Sequence, residues 1–140
     1  MLQHMQLFAK LAAVSDEQRD MQVSQMLEAC CLSGLENTKA GELTYGMLRR
    51  LTLGMALIGS AKVVILSYPL AGVDPASKIK LIKTIKRFTE GRSLIMSTRD
   101  ADDAELIGSR IGIMLDGKVV AVGSVDEILS NHSQGVTIDV

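Results

Sequence analysis

The chain has 140 residues, 47% of them hydrophobic and 22% charged, with a net charge of −1. That is enough for one domain with one core, and the charge argues against a nucleic-acid partner held by bulk attraction. Aromatic residues make up 3% of the chain, so the core must be aliphatic and rich in Met.

Leu2, Met5, Leu7, Phe8 and Leu11 recur at helical spacing and predict a helix over 2–13. Ser15 with Gln18 gives a capping-box pattern opening a helix from Asp16 to Leu32, with Met21, Val23, Met26, Leu27 and Cys30 inward. Ser33-Gly34 ends it. Cys30 and Cys31 are adjacent and lack metal-ligand spacing, so they read as helix-packing residues. His4 and His132 have no Cys partner nearby, which gives neither a ligand role. Residues 34–43 read as a loop, and a third helix follows from Tyr45 to Ile58, ended by Gly59-Ser60.

Val63 to Pro69 is a short apolar run bounded by Lys62 and Gly72, which reads as a strand buried on both faces of a parallel sheet. Asp74 then caps a helix with Pro75 in its first position and Ile79, Leu81, Ile82, Ile85 and Phe88 inward, broken at Gly91. Lys78, Lys80, Lys83, Lys86 and Arg87 lie on this helix and read as a solvated face. Ser93 to Ser97 is a second strand. Asp100 to Ile107 is a helix whose first-turn acids Asp102 and Asp103 suit the dipole. Arg110 to Leu115 and Lys118 to Val122 form a hairpin around Asp116-Gly117. Gly123-Ser124 caps a helix over Val125 to Ser130, and residues 136–140 are expected to form a final strand. No apolar run is long enough to cross a bilayer; the longest, Leu51 to Ala61, ends at Lys62. Residues 1–58 read as all-helical and 59–140 as α/β. In such sheets ligands lie at the carboxyl ends of the strands, which directs attention to Ser67, Tyr68 and the loop to Asp74.

These residues resemble a family. Leu43-Thr44-Tyr45-Gly46-Met47 is similar to the signature motif of ATP-binding-cassette ATPases, LSGG followed by Gln or Met. Val63 to Pro69 resembles the Walker B strand, and Ala71 to Pro75 the D-loop. Ser97-Thr98-Arg99 falls where the H-loop strand ends in His. Leu7 to Leu11 and the Met of the signature are most like the A subfamily, the lipid exporters. The resemblance implies an α/β, P-loop NTPase-like partial domain: a helical subdomain (1–58) ending in the signature helix, then part of the α/β ATPase core (59–140) with a parallel sheet and a C-terminal β-hairpin. It implies the second half of a nucleotide-binding domain, because the phosphate loop G-x-x-x-x-G-K-[ST] would precede these residues. Gly112 to Lys118 has that spacing, but Val119 follows and the segment spans a hairpin, so no helix start converges on a phosphate there.

The family's Asp, Glu and His positions carry Ser67, Tyr68 and Arg99. A hydroxyl does not offset a divalent cation, a phenol titrating near about 10 is a poor base, and Arg does not shuttle protons. The chain is thus expected to be a weak or absent ATPase alone, with no catalytic residue of its own. By resemblance, Leu43, Thr44, Tyr45, Gly46, Met47 and Asp74 would contribute to nucleotide binding, although Tyr45 crowds the approach and Asp74 needs only its capping role. No metal site is expected. ATP and Mg²⁺ are expected only with the preceding half or a partner domain. The implied partners are a second nucleotide-binding domain and transmembrane domains, with no nucleic acid, at the cytoplasmic face of a membrane. The alternative is a pseudo-domain that never meets nucleotide and acts as a regulatory or interaction module.

Overall fold

The computed structural model describes residues 1–132. The expected strand over 136–140 lies outside them. The chain divides into two compact units, Met1–Arg99 and Asp100–Val140. The change from all-helical to strand-and-helix chain near residue 58 falls inside the first.

The first unit contains α1 (Leu2–Leu11), α2 (Asp16–Ala29), α3 (Tyr45–Leu57), β1 (Val63–Ser67), α4 (Pro75–Phe88) and β2 (Ser93–Ser97). Its core is aliphatic and Met-rich: Met5, Val23, Met26, Cys30, Leu32, Leu57, Leu81 and Ile85 are almost fully buried. Burial pushes the Cys30 thiol up to about 12, helped by the neighbouring Cys31. Gly54 has no side chain because Cys30, Met26 and Met5 all close on its Cα.

The first two helices end earlier than expected, and for one reason. Ala13 and Cys31 take left-handed backbone, φ 57° each. Val14 N–H donates to Ala9 O and Ala13 N–H to Lys10 O; Leu32 N–H donates to Leu27 O and Cys31 N–H to Glu28 O. This is the paired closure usually built around Gly, so α2 stops at Ala29 and not at Leu32. The Ser15–Gln18 capping box does not form. Ser15 makes no side-chain cap bond, and Gln18 instead accepts from the Gln22 amide. Met21 is 56% exposed and Ile79 62%, so neither joins the core.

β1 and β2 pair in parallel, Val63 with Ser93 through Ser67 with Ser97. Contrary to expectation, β1 is buried on one face only. Val64 and Leu66 are buried, whereas Val63 and Ile65 alternate outward and Ile65 is 71% exposed. Among the described residues this sheet has two strands, and the face carrying Val63 and Ile65 stays exposed. α4 forms as its sequence predicts, with Asp74 Oδ1 accepting from Ser77 N–H at 2.9 Å and Pro75 in the first turn.

The second unit contains α5 (Ala101–Ile107), β3 (Ile111–Leu115), β4 (Lys118–Gly123) and α6 (Val125–His132). Asp100 caps α5 through Asp102 N–H. Asp116 and Gly117 have φ 48° and 74°, the two positive values a tight hairpin turn needs. Pairing shifts between Ile113 and Met114, leaving Val120 as an extra residue in β4. Ser124 and Glu127 form a true capping box: Glu127 Oε2 accepts from Ser124 N–H at 2.8 Å, and Ser124 Oγ from Glu127 N–H at 3.2 Å.

Candidate functional site

Two groups of the expected site residues come together in the first unit. One surrounds the start of α3. Thr44 is extended and accepts from Met47 N–H through Oγ1 at 3.3 Å, so its hydroxyl is first of all a helix cap. Leu43 is buried and anchors the turn. A Cβ at Gly46 would lie 2.9 Å from Gly72 O, so only Gly lets the first turn of α3 pack on the loop before α4. The ring of Tyr45 lies over Gly72: a Cβ there would meet its Cδ1 and Cε1 at 2.8 Å, and Gly72 has φ 70°. Tyr45 is still 59% exposed, and its phenol oxygen accepts from Arg49 Nε and Nη2 at 2.9 and 2.8 Å. Asp74 lies two residues beyond Gly72. Its cap bonds from Ser77 hold its carboxyl below the usual aspartate range.

The second group sits at the carboxyl end of β1 and β2. Ser67 pairs with Ser97. Tyr68 has φ 47° and donates its N–H to Ser97 O at 3.0 Å, so its side chain leaves the strand direction at a strained position. Arg99 Cζ lies 5.5 Å from the Tyr68 ring centroid, within cation–π range. The positions expected to carry a base and a proton carrier thus hold a phenol and a guanidinium stacked on each other. Among the described residues, no three His, Cys, Asp or Glu side chains converge as a metal site would require.

These groups are positioned by three residues given no site role from the sequence. Arg49 clasps Tyr45. Gly72 admits both Gly46 and the Tyr45 ring. Arg50 Nη1 donates to Cys31 O at 3.0 Å and Ser77 Oγ at 3.3 Å, tying α3 to the end of α2 and the first turn of α4. The only local signal was the Gly ahead of Asp74-Pro75.

No family model matches the chain. It is 38% identical over 122 residues to the retinal-specific phospholipid-transporting ATPase ABCA4 of Homo sapiens, matching 87% of this chain and 5% of that protein. It is 32% identical over 132 residues to ABC transporter A family member 6 of Arabidopsis thaliana, matching 93% of this chain and 14% of that protein. The chain belongs to the ATP-binding-cassette family. These relatives are A-subfamily transporters, and the chain spans a small part of each. The fold agrees. A solved ATP-binding subunit of an ABC transporter superposes with TM-score 0.78 at 20% identity, over 92% of this chain and 56% of that one. A dimeric cassette in a post-hydrolysis state, bound to ADP and Pi, gives 0.70 at 23% identity over 79% and 49%. The chain is therefore an α/β partial cassette domain of the P-loop NTPase class. No helix among its described residues is long and apolar enough to cross a membrane.

Proposed function

We propose that this partial cassette supplies a signature motif, Leu43 to Met47 with Asp74, to ATP held by a second nucleotide-binding domain, and does not itself split ATP. The observation that carries this reading is the start of α3. Thr44, Gly46 and the Gly72–Asp74 loop form one packed edge, and a helix N-terminus favours phosphate. The residues fit a terminal phosphate approaching the exposed Thr44 and the first turn. They do not fit Mg²⁺, since Ser67 at the strand end is neutral and Asp74 is committed to Ser77. Loss of a general base costs roughly a hundred- to ten-thousand-fold in rate, and neither the phenol of Tyr68 nor the guanidinium of Arg99 replaces the family's carboxylate.

The cassette would work with a second nucleotide-binding domain and with transmembrane domains, at the cytoplasmic face of a membrane. The words "phospholipid-transporting" in the name of the human relative support a lipid-like cargo. One observation favours a second reading, a regulatory module that meets no nucleotide: the Tyr45 ring covers Gly72 and is pinned there by Arg49.

Calorimetric titration of this chain into a second nucleotide-binding domain, with and without Mg-ATP held by that domain, separates the two. Association that requires ATP and weakens in Gly46→Ala supports the first. Association indifferent to ATP in the wild type, made ATP-dependent in Tyr45→Gly, supports the second and overturns the first.

A further inference from the structure

The outer face of α4 is a cationic stripe with an apolar centre. This helix has 14 residues, one tenth of the chain. It carries five of the chain's 15 Lys and Arg and none of its 16 Asp and Glu. Its rotation is fixed from inside. Leu81, Thr84 and Ile85 are buried, and Thr84 Oγ1 donates to Ala29 O at 2.9 Å. Lys80, Lys83, Lys86 and Arg87 are consequently exposed, spread over roughly 10 Å of helix. None of these four makes an ion pair among the described residues. Ile79, beside Lys80 and Lys83, is the exposed apolar residue noted above.

We propose that this face docks on an anionic lipid surface. The chemistry favours lipid over other polyanions. The charges are mostly lysines, compact point charges on flexible stems, and not the planar forks that read phosphate pairs. The face is one convex helix, without a groove to track a nucleic-acid backbone or an exposed aromatic for bases to stack on. Ile79 gives it an apolar side chain to set among headgroups. Clusters of four to eight cations on an amphipathic helix suit phosphatidylserine-rich membranes, each worth about fivefold in affinity at low salt. The proposal is independent of the nucleotide reading, because no residue at the start of α3 or the end of β1 takes part.

Flotation of the whole chain with vesicles tests it, because aggregates sink while bound protein rises. Vesicles of phosphatidylcholine with roughly a third phosphatidylserine should carry the chain at low salt and release it as salt rises. Pure phosphatidylcholine should not. Lys80→Glu/Lys83→Glu/Lys86→Glu should lose binding by at least about a hundredfold, and the milder Lys83→Gln/Lys86→Gln by a smaller amount, each with an unchanged circular dichroism spectrum. The proposal is overturned by failure to float with phosphatidylserine, by equal flotation of the triple variant, or by duplex DNA binding as tight as to vesicles. Charge-dependent self-association without flotation also overturns it, by assigning the stripe to a second copy.

Discussion

Arg50 is the strut of the first unit, and replacing it with Met gives the sharpest stability test. Nη1 donates to Cys31 O at 3.0 Å and to Ser77 Oγ at 3.3 Å. Cys31 lies just past α2, where carbonyls carry partial negative charge, and Ser77 is in the first turn of α4. A hydrogen bond from a charged donor contributes about 1.5–3 kcal/mol, and the longer one to Ser77 about 1 kcal/mol. A cation at a helix C-terminus adds up to about 1 kcal/mol. Against this, Arg50 Nε is buried without a partner, and relieving it returns about 1–2 kcal/mol. Met keeps most of the stem packing, so the expected net loss is about 2 kcal/mol, roughly 8 °C or more in melting temperature for a unit of this size. Urea denaturation followed by helical circular dichroism reads it as a lower midpoint at constant slope. A change under about 0.5 kcal/mol would refute the reasoning, by showing that the orphaned Nε costs as much as the two bonds return.

Other predictions follow the same logic. The Asp74 carboxyl is held below the ordinary range by Ser77, so its stabilising effect is present above the unfolded aspartate pKa and fades as pH falls through the lower folded value. Asp74→Asn should flatten that part of the stability–pH profile, and an unchanged acid limb would contradict the cap. Ala13 pays for left-handed backbone, so Ala13→Gly should raise stability by about 1 kcal/mol, read as a higher urea midpoint; a lower midpoint would mean that its Cβ packs usefully. The open sheet face should drive self-association of the lone chain. Ile65→Thr/Ile95→Thr should lower concentration-dependent light scattering, and a wild type that stays monomeric would count against it.

Much of the fold was legible because some residues act locally. Asp74-Pro75 and Gly91 bracket α4 whatever surrounds it, and Asp116-Gly117 fixes its hairpin by backbone preference alone. The misses arose where tertiary context overrode a local signal. A Ser followed by Gln or Glu three residues later occurs at Ser15 and Ser124, yet only Glu127 reaches back; Gln18 has Gln22 to bond. Ala13 and Cys31 close helices in a conformation their side chains disfavour, and no residue type announced it. The apolar run of β1 has the composition of a strand buried on both faces, but composition does not say which chain supplies the second cover. At the candidate site, Thr44, Gly46, Tyr68 and Arg99 are the residues the sequence singled out. It did not reveal that Tyr45 folds onto Gly72 or that Tyr68 and Arg99 stack, because both depend on residues distant in sequence.

The claim on which the functional account stands is that the carboxyl end of β1 no longer activates water for attack on ATP. Steady-state phosphate release with Mg-ATP, from the chain combined with the preceding half of the domain, tests it most directly. The account predicts no release above the protein-free blank. Metal-dependent turnover that disappears in Tyr68→Phe or Arg99→Ala would contradict it.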